Sequence, residues 1–169
     1  MKKPAATQKI IYFCIVILTA FIVRKSFFSI HRINGSSMYP TLNSGDSICV
    51  NRLAYGLINP LTEKRIVKWN DIKENEIILF YHDGKLMVKR CIATKNSILE
   101  HSDNPQYNMK INGKSLILTR ECHELLNSYS AVPENHVFVL GDNDSDSIDS
   151  RNFGFICEDD VLGRVISYE

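Results

Sequence analysis

The chain has 169 residues, 44% hydrophobic and 23% charged, with a net charge of +1. That apolar content excludes a disordered chain, and the even charge with no Lys/Arg run excludes a nucleic-acid-binding stripe. The length suits one domain around one ordinary core.

The N-terminal segment carries the location signal. Residues Ile10 to Val23 are uncharged and apolar, with Lys2, Lys3 and Lys9 before them and Arg24 and Lys25 after. A spanning helix wants roughly 20 apolar residues, and Lys9, Arg24 and Lys25 can snorkel to extend this shorter run. A cleaved secretory signal would share the basic start, but no clear Ala-x-Ala site follows. The reading is therefore a short cytoplasmic N-terminus (residues 1–8), a single transmembrane anchor (9–30) and a β-rich domain (31–169). The balance of cations favours a cytoplasmic N-terminus by a small margin. This places the protein in the cytoplasmic (inner) membrane with residues 31–169 on the extracytoplasmic side, so the lipid bilayer is one expected partner.

After the anchor, short segments rich in β-branched and apolar residues predict strands at 47–50, 76–81, 86–93, 115–119, 137–140 and 161–167. Asp83-Gly84 lies between the second and third, and Asn112-Gly113 precedes the fourth; both are hairpin-turn signals. Residues 121–127 read as one helical turn. The fold class is mainly β, an antiparallel sheet domain behind one N-terminal transmembrane helix.

The five cysteines, Cys14, Cys49, Cys91, Cys122 and Cys157, include no C-x-x-C pair, which removes zinc-ribbon and thioredoxin readings. The last four could form up to two disulfides in an oxidising compartment or stay as thiols. Asp142, Asp144 and Asp146 alternate as in a calcium loop, but Ser147 and Phe153 stand where an EF-hand needs glycine and glutamate. The five histidines, His31, His82, His101, His123 and His136, show no H-x-x-x-H spacing. No metal site and no cofactor are expected.

Four clusters remain that suit chemistry: Gly35-Ser36-Ser37-Met38-Tyr39-Pro40-Thr41, Gly45-Asp46, Lys89-Arg90, and the block from Gly141 to Gly154. Their order and content resemble the bacterial type I signal peptidases, serine endopeptidases that remove signal peptides. The Ser-Met-x-Pro-Thr motif, the following Gly-Asp, the Lys-Arg pair and the Gly-Asp-Asn…Ser-x-Asp-Ser-Arg-x-Phe-Gly block carry the resemblance. Leu53-Ala54-Tyr55-Gly56 with Pro60-Leu61, and the Asn112-Gly113-Lys114 hairpin, add to it.

The resemblance implies a signal-peptidase-like catalytic domain with a small noncatalytic insertion at roughly 92–135. It also implies that Ser37 is the nucleophile and Lys89 the base. Ser147 then orients the lysine, Asp149 and Arg151 form a supporting ion pair, and Asp142 belongs to the same framework. The Ser37 N–H is the first oxyanion donor, Gly35 stands where some relatives supply a serine hydroxyl, and Met38 lies on the substrate side; the second donor stays open. Lysine can be a base only when neutral, so its pKa must fall far below the usual roughly 10.4, and desolvation lowers it. Lys89 follows the apolar Leu86-Met87-Val88.

The expected substrates are exported preproteins cut after small residues of Ala-x-Ala type, in association with secretion machinery. Relatives commonly carry arginine at the place of Asp144 and asparagine at that of Asp146. Extra negative charge near Lys89 would hold its proton, which predicts a more alkaline optimum than in members without these acids. Further departures, such as Cys91 to Asn96 in place of a Gly-Leu-Pro-Gly-Asp-like turn, leave room for a specialised maturase of a dedicated secretion or conjugation system. A catalytically inactive membrane scaffold with the same fold is the non-enzyme alternative.

Overall fold

The computed structural model describes residues 6–59, 62–102 and 107–169. Lys2, Lys3, Pro60 and Leu61, used in the sequence reading, lie outside them. The chain opens with helix α1 (Ala6–Phe27), 22 residues long, and passes directly into strand β1 (Phe28–Arg32). The last three residues of the expected anchor, 28–30, are therefore strand residues. Among the described residues, no helix is long and apolar enough to cross a membrane.

The strands that follow are β2 (Ser47–Asn51), β3 (Gly56–Ile58), β4 (Arg65–Lys68), β5 (Ile77–His82) and β6 (Lys85–Ala93). Then come β7 (Leu99–Ser102), β8 (Asn108–Ile111), β9 (Lys114–Ile117) and helix α2 (Arg120–Leu126). The chain closes with β10 (His136–Leu140), helix α3 (Ser150–Phe153), β11 (Ile156–Cys157) and β12 (Val161–Tyr168). The fold is mainly antiparallel β. One seven-stranded sheet has the order β1-β2-β12-β5-β6-β10-β11, and every neighbouring pair in it is antiparallel.

Two Xaa-Gly turns set the register of the hairpins. Asp83 and Gly84 have φ of 48° and 71°, and Asn112 and Gly113 have 48° and 79°. Left-handed backbone at both central residues suits the right-handed twist of the flanking strands. The first turn pairs β5 with β6 so that Ile78 faces Lys89 and Ile77 faces Arg90. The second joins β8 to β9 in a separate three-stranded sheet, β7-β8-β9.

Three apolar clusters hold the domain. One packs Leu99, Met109, Ile111 and Leu116 of the small sheet against Cys122 and Leu126 of α2 and Phe138 of β10. Thr119 caps α2 by accepting from Cys122 N–H at 3.2 Å. A second gathers Ile78, Phe80, Cys91, Val137 and Val139. The third gathers Met38, Leu42, Ile48, Val50, Leu79 and Leu162, so the loop after β1 is anchored in core by Met38 and Leu42. All five cysteines are free thiols, and burial pushes the Cys91 thiol up to about 12 and the Cys122 thiol up to about 11.

Candidate active site

Side chains alternate along a strand, so Met87, Lys89 and Cys91 of β6 share one face. Met87 and Cys91 pack in the second apolar cluster, and Lys89 between them is only 3% exposed. Its Nζ lies 2.5 Å from Ser37 Oγ. Among the described residues Lys89 has no ion-pair partner. Burial pushes its pKa below the ordinary lysine value and the Arg151 guanidinium adds to this; the carboxylates of Asp149, Asp142 and Asp146 oppose but do not reverse it.

Ser37 sits in the loop between β1 and β2. Tyr39 N–H bonds to Ser36 O at 3.0 Å, Leu42 N–H bonds to Met38 O at 2.9 Å, and the Tyr39–Pro40 peptide is cis. Met38 is buried, so its neighbour Ser37 is held against the core while its hydroxyl faces β6. Gly35 has φ +113°, a conformation few L-residues adopt, and its N–H is turned to Ser44 Oγ at 3.3 Å. The Ser37 N–H makes no hydrogen bond among the described residues.

The turn after β10 supplies the third side. Asp149 is fully buried and caps α3 in a capping box with Asn152. Arg151 grips it through Nε to Oδ1 at 2.9 Å and a terminal nitrogen to Oδ2 at 2.8 Å. Oδ2 also accepts from Gly141 N–H at 2.9 Å and Ser147 Oγ at 2.7 Å. Burial alone would raise this carboxyl; the Arg151, Gly141 and Ser147 donors outweigh it and hold the pKa below the usual carboxylate range.

Asp142 forms a second bidentate pair, with Arg90 Nε at 2.8 Å and a terminal nitrogen at 2.6 Å. Arg90 also reaches Thr41 Oγ1 at 3.4 Å and Asn75 O at 2.9 Å. The pair thus staples the serine loop, β6 and the 141–154 turn together.

Ser37, Lys89, Ser147, Asp142, Asp149 and Arg151 therefore come together from three distant segments, with Gly35 and Met38 on the rim and floor. The resemblance gives Ser147 the task of orienting Lys89. Its hydroxyl donates to Asp149, and among the described residues it makes no hydrogen bond with Lys89. Asp149 is the stronger acceptor because it is ionised and buried. The acids expected to burden Lys89 are partly occupied: Asp144 lies 3.3 Å from Arg151, and Asp146 accepts the Ser36 hydroxyl.

Gly141 and Asn143 were not singled out by sequence reasoning. A Cβ at Gly141 would fall 2.2 Å from Ser147 Oγ and 2.4 Å from Ser37 O, so no side chain fits there. Asn143 N–H donates to Ser37 O at 3.0 Å and its side-chain amide donates to Ser36 O at 3.1 Å. The signal was present in the Gly-Asp-Asn triplet, yet the contacts are with backbone more than a hundred residues away.

Two cavities meet at the Ser37–Lys89 pair. One, of about 410 Å³, has the apolar walls Ile33, Met38, Leu79, Leu86, Met87 and Val88. The other, of about 450 Å³, is walled by Ser36, Ser145, Asp146, Ser147 and Ile148. A serine hydroxyl against a dehydrated lysine, open to a cleft on an antiparallel sheet, has the makeup of a serine hydrolase with a lysine base.

The comparisons with known proteins give the family. The family model described as "Signal peptidase, peptidase S26" matches residues 6–168. Signal peptidase I of Bacillus caldolyticus is 33% identical over 153 residues, covering 82% of this chain and 77% of its own. Signal peptidase I T of Bacillus subtilis (strain 168) is 30% identical over 164 residues, covering 88% of this chain and 77% of its own. A crystal structure of a signal peptidase I from Enterococcus faecalis V583 aligns with 58% of this chain and 98% of its own, at 28% identity and a TM-score of 0.41. The chain belongs to the signal peptidase family, peptidase S26. It is a serine endopeptidase of the signal peptidase I type that cleaves signal peptides from preproteins.

Proposed function

We propose that Ser37 and Lys89 perform this cleavage as nucleophile and base, on a membrane-anchored enzyme that cuts after small residues of Ala-x-Ala type. The observation that carries the reading is the contact between the nearly inaccessible Lys89 Nζ and Ser37 Oγ at 2.5 Å. Neutral Lys89 takes the Ser37 proton as Oγ attacks the scissile carbonyl. The oxyanion is received by the Ser37 N–H, and the new ammonium passes its proton to the departing amine. Water, deprotonated by the same lysine, then hydrolyses the acyl-serine ester.

In this scheme Asp149 and Arg151 keep the turn in place, Asp142 and Arg90 hold the serine loop to β6, and Ser147 is a positioning residue between Lys89 and Asp149. Gly35 leaves the rim open, and the buried Met38 closes the floor of the apolar cavity, which suits small substrate side chains. No metal or cofactor enters any step. The anchor is proposed on helix α1 although its described residues alone are not long and apolar enough to span: its apolar side chains from Ile10 to Leu18 are all exposed, and the flanking Lys9, Arg24 and Lys25 can snorkel to extend a short apolar run. The cytoplasmic membrane, a single pass, an extracytoplasmic catalytic domain and contact with secretion machinery belong to this proposal.

The test is cleavage of an Ala-x-Ala preprotein in detergent by wild type, Ser37→Ala and Lys89→Ala. Loss of about 10³-fold or more in both variants is expected. Wild-type-like turnover by either would end the assignment, and an inactive wild type would favour a narrower substrate range or the scaffold reading.

A further inference from the structure

Every polar group of Asn143 is committed, and two of its bonds bracket the nucleophile. Its N–H donates to Ser37 O at 3.0 Å, and its side-chain Nδ2 donates to Ser36 O at 3.1 Å. Its Oδ1 accepts from Ser145 Oγ at 3.0 Å, which fixes which end of the amide faces Ser36. Its own carbonyl accepts from Asp146 N–H at 3.2 Å. Asn143 is thus held by the turn and holds the serine loop in turn.

The Ser36 carbonyl and the Ser37 N–H belong to one peptide unit. That unit is planar and trans, so its C=O and N–H point in opposite directions. That carbonyl also accepts from Tyr39 N–H at 3.0 Å, so the Asn143 amide is its second donor, and the two together set the direction of the Ser37 N–H. This N–H is the donor that makes no other hydrogen bond among the described residues. A donated bond at the carbonyl also polarises the peptide and strengthens its N–H as a donor. Gly141 makes the approach possible, because a side chain there would collide with Ser37 O.

We infer that Asn143 is a positioning residue for the oxyanion hole, fixing the Ser36–Ser37 peptide so that the Ser37 N–H is aimed and polarised before substrate arrives. The inference rests on the reading of Ser37 as nucleophile and of its N–H as an oxyanion donor. It assigns Asn143 a role in transition-state stabilisation, distinct from the ion pairs that hold the loops together.

The test uses two peptides with the same Ala-x-Ala sequence, one ending in an aldehyde and one in the corresponding alcohol. With the aldehyde, Ser37 Oγ forms a bond to the carbonyl carbon, the hydroxyl proton passes to Lys89, and the carbonyl oxygen becomes an oxyanion. The alcohol binds without that charge. In the full-length protein in detergent, wild type should bind the aldehyde much more tightly. Asn143→Ala should lose about tenfold or more of that preference, part of the 10²–10³ that removal of a whole donor costs. Its affinity for the alcohol should stay within about twofold, and kcat should fall with KM nearly unchanged.

Ser145→Ala, which frees the Asn143 amide to rotate, should move the same ratio by a smaller factor and serves if Asn143→Ala folds poorly. Full retention of the aldehyde preference in both variants would overturn the inference, as would an equal loss for both peptides. A wild type with no preference for the aldehyde would overturn the Ser37 reading itself, and the inference with it.

Discussion

The three-stranded sheet of β7, β8 and β9 precedes β10 in the chain and the 141–154 turn follows it, and the two are built on opposite plans. The turn buries charge: Asp149 is inaccessible, with donors from Arg151, Gly141 and Ser147 around it. The small sheet buries Leu99, Met109, Ile111 and Leu116 against α2, and none of these four lines either cavity at Ser37 and Lys89. Apolar burial supplies stability without regard to direction. A buried ion pair rarely adds net stability, but it fixes geometry. The sheet and α2 therefore stabilise the domain, whereas the turn aims groups at a hydroxyl.

Removing one buried group from each region should separate these roles. Asp149→Ala leaves the Arg151 guanidinium without its main partner and should cost about 3–5 kcal/mol. It should also lower kcat in the protein that remains folded. Leu116→Ala should cost about 2–5 kcal/mol by opening a cavity, with kcat per folded molecule unchanged. Denaturant unfolding with active-site titration checks both. Equal kcat in the two variants would mean that the turn and the small sheet do not differ in role.

Asp149 and the proposed base, Lys89, have opposite linkage to folding. Asp149 is held below its unfolded value, so its contribution is fully present above roughly pH 3.9 and is lost as pH falls through its folded pKa. Lys89 is also held below its unfolded value, but for a lysine this means the unfolded chain binds the extra proton. The penalty is complete below the folded pKa and disappears as pH rises towards roughly 10.4. Lys89→Met should therefore raise Tm at neutral pH by about 2–4 °C, with the gain shrinking at alkaline pH. Melting curves by circular dichroism between pH 6 and 10, taken as about that range for the window above, check the sign. A lower Tm in Lys89→Met would mean that the lysine is an asset to the fold.

The smallest effect concerns Asp146. Its charge favours the Lys89 ammonium, so Asp146→Asn should move the acidic limb of kcat/KM to lower pH. The asparagine oxygen can still accept the Ser36 hydroxyl, which keeps the loop contact. Because Asp146 is exposed, solvent and salt screen it, and the displacement should shrink as ionic strength rises. An unmoved limb would exclude Asp146 from the tuning of the base.

The sequence allowed the main strands to be read because β5, β6, β10 and β12 are apolar runs with sharp turns between them. Strand β1 was hidden because residues 28–30 fell inside the expected anchor, and only pairing with β2 makes Phe28–Arg32 a strand. Strands β4 and β7, Arg65–Lys68 and Leu99–Ser102, are short and largely exposed, so their composition carries little β signal. The polar residues of the site were legible as a recurring order of motifs. Their partners were not: Asn143 acts on backbone carbonyls, and Ser147 chose Asp149 over the lysine, which depends on burial that no local pattern records.

For Ser37 to be activated, Lys89 must be neutral when it meets the hydroxyl. Heteronuclear NMR of Lys89 in the detergent-solubilised protein, with its side-chain resonance assigned by comparison with Lys89→Arg, measures this directly. A titration below the ordinary lysine range, coinciding with the acidic limb of kcat/KM, is expected. A Lys89 resonance that titrates like a solvent-exposed lysine would contradict it.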